Sequence, residues 1–155
     1  YDTHAKMNPP LRSLADVEAV REAVRDGTID VIATDHAPHH NDEKARAFAD
    51  APNGIIGLEM ALAVNVTWLV KPGIVSLATL IDRMACAPAK LFHLGGGTLA
   101  KGALGDVTVF DPAREWVVDA KTFRTKGRNT PYSGKTLTGK SRLTVVGGRI
   151  AYREA

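Results

Sequence analysis

The run Ile29-Asp30-Val31-Ile32-Ala33-Thr34, mostly apolar and ended abruptly by Asp35-His36, constrains the fold more than any other stretch of the chain. A short apolar run of this kind suits a strand covered on both faces, the situation of parallel strands in α/β proteins. In parallel sheets and barrels ligands gather at the carboxyl ends of strands, so the sequence puts an acid where chemistry is usually done. A carboxylate there can ligate a metal ion and exchange a proton during metal-assisted hydrolysis. It can equally do no more than cap the following turn.

The flanking pattern is that of an α/β protein. Ser13 with Asp16 opens a helix whose Leu14, Val17, Val20 and Val24 share one face, and Gly27 closes it. The polar stretch from His36 to Gly54 is too long for an ordinary connection and reads as functional or mobile. Further helices are expected at 58–70, from the Ser76 cap to about Cys86, and from Pro88 to Leu94. After Gly97 the texture turns to glycine-punctuated strands at 106–110, 116–118 and 143–146, the last forming a hairpin through Gly147-Gly148 with 149–152. A boundary is therefore expected near residue 97, dividing a helical α/β part (1–97) from a β-rich part (98–155).

Charge and cysteine content exclude several classes. Residues 1–110 hold 10 basic and 13 acidic side chains and residues 111–155 hold 10 and 4, so the net charge of +3 conceals a basic tail. Its charges are spaced singly, which argues against a nucleic-acid patch. A single cysteine, Cys86, rules out an internal disulfide and a thiolate zinc cage, and a reducing compartment is the default. No apolar run is long enough to span a bilayer, so neither a nucleic acid nor a membrane is an expected partner.

The combination Lys6-Met7-Asn8-Pro9-Pro10-Leu11-Arg12, Asp26-Gly27-Thr28-Ile29-Asp30, Ala33-Thr34-Asp35-His36-Ala37-Pro38-His39, Glu43-Lys44, Ala51-Pro52-Asn53-Gly54 and Gly57-Leu58-Glu59 resembles the bacterial dihydroorotases of the amidohydrolase superfamily. Order and gaps agree, and Gly102, Asp106, Asp111 and Arg128-Asn129-Thr130-Pro131-Tyr132 extend the likeness through the tail. The resemblance implies the C-terminal part of a metal-dependent (β/α)8 barrel followed by part of a small β-sandwich. It implies zinc-dependent, reversible hydrolysis of (S)-dihydroorotate to N-carbamoyl-L-aspartate in pyrimidine synthesis, in the cytoplasm. It implies a binuclear zinc site of which this chain holds only Asp35, as metal ligand and catalytic acid/base. Asn8, His39, Asn53 and Gly54 are implied substrate-binding residues, an amide and an imidazole being suited to an anionic pyrimidine ring. Asn53 departs from the family's usual Phe.

Two alternatives stay open. One is a hydantoinase or allantoinase, a cyclic amidase with a similar Asp-His strand end; Asn8 before the Pro-Pro pair and His39 weigh against it. The other is a non-catalytic dihydroorotase-like subunit that scaffolds aspartate transcarbamoylase, and a homo-oligomer is a further expectation from the family. His36 is read as fixing the loop, Arg12 as orienting the Asn8 loop or pairing at the surface, Glu59 as structural, and Trp68 and Trp116 as packing. Gly134-Lys135-Thr136-Leu137-Thr138-Gly139-Lys140-Ser141 satisfies the phosphate-loop pattern, but no buried strand precedes it and a β-rich run follows, so a nucleotide site is rejected.

Overall fold

A computed structural model describes residues 1–154. The first long helix, α1 (Leu14–Asp26), is specified by its ends: Ser13 accepts the Asp16 N–H, Asp16 answers the Ser13 N–H, and Gly27 follows at φ 91°. Of its expected apolar face only Val24 is buried, in a cluster with Val66, Val75 and Leu80, whereas Leu14 is 83% exposed. The one buried residue of the helix lies in its last turn.

The expected strand at 29–34 is not one. That segment lies in no sheet, and its backbone is tied only at single points, Ile29 N–H to the Ala23 carbonyl (2.8 Å) and Ile32 N–H to the Arg83 carbonyl (3.0 Å). A parallel strand exists through the ladders on its edges, and among the described residues no strand lies beside it. A four-residue helix, α2 (Asn41–Lys44), interrupts the polar stretch after it, with His40 and Glu43 forming its capping box.

The expected helix over 58–70 begins with a turn and becomes α3 (Ala61–Asn65), which widens into a π turn, Val66–Val70. The two helices expected on either side of residue 87 are one continuous run: α4 (Leu77–Ile81), a π turn at Asp82–Cys86, and α5 (Ala87–Leu91). Pro88 does not start a separate helix. The Ala87 N–H reaches back to the Asp82 carbonyl, and this widened turn lies immediately before the residue that lacks a donor of its own.

The tail folds as a three-stranded antiparallel sheet in the order β1 (Val107–Val117), β2 (Thr136–Val146), β3 (Arg149–Arg153). β1 pairs with β2 from Val107 opposite Val145 to Val117 opposite Thr136, with irregularities between Val109 and Phe110 and between Asp111 and Glu115. The expected hairpin is present, Val146 facing Arg149 across Gly147-Gly148. β1 and β2 are longer than expected, and the phosphate-loop pattern falls largely within β2, where no helix follows it.

Helical and β-rich parts share one core. Ile56, Met60 and Ala63 pack with Val118 and Leu137, flanked by Trp68, Trp116, Phe123 and Tyr132, so both tryptophans serve packing as expected. Glu59 ties the same seam, its carboxylate accepting the Arg124 and Thr125 N–H groups at 3.0 Å each. Because Leu137 is 0% exposed, Leu137→Ala is expected to cost about 3 kcal/mol of folding free energy by denaturant titration. A loss below about 1 kcal/mol would mean that this core does not join the two parts.

Candidate functional site

Asp35 stands at the end of the apolar segment with an exposed side chain that has no hydrogen-bond or ion-pair partner among the described residues. Its surroundings are nevertheless held firmly, because the segment from Asn53 to Leu58 lies against the segment from Thr34 to His39. The Ala37 N–H donates to the Ile55 carbonyl (3.0 Å), and the Gly57 and Leu58 N–H groups both donate to His36 Nδ1 (3.2 and 3.3 Å). His36 therefore fixes the loop, as expected. The approach requires glycine at 57, where a Cβ would stand 1.8 Å from Thr34 Oγ1, and at 54, where φ is 131° and a Cβ would meet Ala37 Cβ at 2.6 Å.

His39 and the Asn53-Gly54 turn come together. His39 Nε2 donates to the Asn53 carbonyl at 2.8 Å, and its Nδ1 lies 3.7 Å from Glu43. Asn8, next to the cis Asn8–Pro9 peptide, lines the same groove as Asn53 together with Lys6, Met7, Pro10 and Phe48. The Gly54 N–H donates to the Lys6 carbonyl (2.9 Å), so that group of the turn is already used within the chain. The Asn53 N–H, in contrast, has no partner among the described residues. Arg12 pairs with Asp16 at 3.3 Å, a surface salt bridge.

Several side chains that hold this arrangement carry no sign of it in the sequence. Lys44 is 1% exposed and has no acidic partner; its ammonium donates to the Pro52 (2.9 Å) and Gly54 (3.2 Å) carbonyls. Burial, and secondarily the charge of Lys6, push its pKa below the ordinary lysine range. Lys6 itself donates to the Phe48, Ala49 and Ala51 carbonyls (2.6, 3.1 and 2.6 Å). From the tail, fully buried Asn129 reaches His39, Ala37 and Gly54. Gly127 lets that strand-connecting loop approach closely, since a Cβ there would lie 2.7 Å from Pro38.

A metal site needs convergent donors, about three for a catalytic zinc. The described residues contain no group of three His, Cys, Asp or Glu side chains able to hold an ion. Asp35 is a suitable single donor, a carboxylate without a protein partner, but the donor set in this chain is not a complete site.

Residues 8–151 match the amidohydrolase family, and the chain belongs to it. It is 51% identical over 153 residues to the dihydroorotase of Geobacter metallireducens and 52% identical over 153 residues to that of Citrifermentans bemidjiense, covering 99% of this chain and 36% of each relative. The chain thus spans about a third of the length of these relatives. Among solved structures, the L-hydantoinase (dihydropyrimidinase) of Arthrobacter aurescens superposes with a TM-score of 0.90 at 34% identity, and the D-hydantoinase of a Thermus species with 0.88 at 29%; each covers 97% of this chain and 34% of the other.

Lys44 makes a pH-dependent contribution. Between its lowered folded-state pKa and the ordinary lysine value only the unfolded chain stays protonated, so stability from this group rises with pH across that window. Denaturant titrations of wild type and Lys44→Met are expected to show the difference moving in favour of the wild type as pH climbs from neutral toward 10. A difference that stays flat or moves the other way would contradict the burial of this charge.

Proposed function

We propose that the chain is part of a dihydroorotase, a cyclic amidase that interconverts (S)-dihydroorotate and N-carbamoyl-L-aspartate in pyrimidine synthesis. The observation that carries this reading is the unpartnered Asp35 carboxylate beside a loop whose His39 is bound to the Asn53 turn, in a chain about half identical throughout to dihydroorotases. In this reading residues 1–97 complete a (β/α)8 barrel and residues 98–155 belong to a β-sandwich; the segment at 29–34 gains its ladder from barrel strands outside this chain. The location is cytoplasmic.

Asp35 takes a proton from the attacking water and delivers it to the ring nitrogen as the amide C–N bond opens; the reverse steps close the ring. The His39 Nε2–H, which here donates to the Asn53 carbonyl, turns to the substrate carboxylate, and Asn8 and the free Asn53 N–H hold the ring's polar edge. The turn's Gly54 contributes shape, since its N–H serves Lys6. Zinc, when bound, supplies a Lewis acid for the amide carbonyl; Asp35 is the one ligand this chain offers it, and the others come from the remainder of the protein. A hydantoinase is the second reading, with which the TM-score of 0.90 to the L-hydantoinase is compatible without favouring it. The lower identity to that protein and the residues Asn8 and His39 weigh against it.

In the full-length protein Asp35→Asn is expected to abolish turnover and leave the circular dichroism spectrum unchanged, because the amide keeps the size of the acid and cannot accept the proton. Near-normal turnover would remove Asp35 from the chemistry. His39→Ala and Asn8→Ala are each expected to weaken binding of the anionic substrate by about 1.5–3 kcal/mol, read as a raised KM at unchanged metal content. Loss of metal in His39→Ala would make His39 a ligand instead.

A further inference from the structure

We propose that Asn129, contributed by the β-rich tail, is the positioning residue of the candidate substrate site; this rests on the dihydroorotase reading of His39 and Asn53. The side chain of Asn129 is fully buried and touches both halves of that site. Its Nδ2 donates to the Ala37 carbonyl (2.8 Å) and to the Gly54 carbonyl (3.0 Å), while its Oδ1 accepts the His39 backbone N–H (3.1 Å). Two carbonyls on one end and an N–H on the other leave a single orientation of the amide, with both donors and the acceptor engaged. Its own carbonyl accepts the Ile56 N–H at 3.0 Å, so the backbone joins the same segment that the side chain holds.

The arrangement determines where the His39 ring can go. His39 enters the loop with its backbone pinned by Asn129, and the Asn53 carbonyl that its ring meets belongs to the residue before Gly54, pinned by the same amide. One side chain therefore fixes the His39 backbone relative to the turn, and with it the position from which the imidazole turns to a carboxylate. Asp cannot replace Asn here without loss. It retains an acceptor for the His39 N–H but turns a second oxygen toward the Ala37 and Gly54 carbonyls. Asn129 touches neither the substrate nor Asp35 in this account, so its removal should act on binding and leave the proton transfer to a bound substrate largely intact.

The test uses the full-length, zinc-loaded protein with dihydroorotate as substrate. Asn129→Ala and the isosteric Asn129→Asp are each combined with His39→Ala. The expected result is a KM raised about ten-fold or more in each single variant with kcat within about three-fold, and little further rise when His39 is already alanine, because the two residues act through one contact. A purely structural role would instead lower the yield and melting temperature of folded protein while the folded fraction kept wild-type KM, and that outcome overturns the proposal. So does an Asn129 effect that persists undiminished in the His39→Ala background. If His39→Ala itself leaves KM unchanged, the substrate reading of His39 fails, and the proposal fails with it. Amide hydrogen exchange at His39 supplies a readout independent of turnover. Exchange should quicken in folded Asn129→Ala and remain slow in Asn129→Asp, which keeps the acceptor; unchanged exchange in the alanine variant would refute the contact itself.

Discussion

A buried carbonyl must find a donor, and the structure around the candidate site is arranged by how the Gly54 carbonyl finds two. Lys44 Nζ approaches from α2 and Asn129 Nδ2 from the tail, so one oxygen joins its own turn to a helix 10 residues before it and to a loop 75 residues after it. Leaving such a group unmet costs about 1–3 kcal/mol, comparable to a large share of a domain's net stability. Gly54 sits in this cluster at φ 131° and so close to Ala37 that a Cβ would meet the Ala37 Cβ at 2.6 Å. The Lys6 carbonyl, receiving the Gly54 N–H, brings the Asn8 loop into the same cluster.

This polar cluster sits on an apolar seam. Ile56 follows the Gly54 turn closely and is buried with Met60, Val118 and Leu137, so the tail that supplies Asn129 is anchored by the core beneath it. The segment at 29–34 is secured differently, by isolated backbone bonds and by Ile29 and Ile32 packing beside Leu80 and Val75. α1 leaves Leu14 and Val20 exposed, and no strand lies beside the 29–34 segment among the described residues, in keeping with a chain that spans about a third of the length of its relatives.

Local chemistry was legible in the sequence where a residue acts on its immediate neighbours. Ser13 and Asp16 cap α1, Gly147-Gly148 turns the hairpin, and the rejected phosphate-loop pattern lies largely in β2, whose β-branched Thr144, Val145 and Val146 continue the strand. The π turn at Asp82–Cys86 was not legible, since Pro88 reads as a helix start whether or not a widened turn precedes it. The strand at 29–34 was inferred from composition, but a ladder is a property of two segments and not of one. In the candidate site, Asp35 was singled out by its place after an apolar run, whereas Asn8, His39, Asn53 and Gly54 were singled out only by the family resemblance. Lys44 and Asn129 were quoted as parts of motifs without a role, because their partners are carbonyls, which every residue carries and no sequence pattern marks.

The central proposal is that Asn8 and Asn53, which line one groove, and His39, whose ring binds the Asn53 carbonyl, together receive a cyclic amide bearing a carboxylate. The most direct measurement is kcat/KM of the full-length, metal-loaded protein for dihydroorotate against dihydrouracil, which has the same ring without the carboxylate. A lost charge-assisted contact of about 1.5–3 kcal/mol for each of two side chains predicts a preference for dihydroorotate of roughly a hundred-fold or more. Equal or faster hydrolysis of dihydrouracil would contradict the account and place the chain with its hydantoinase neighbours.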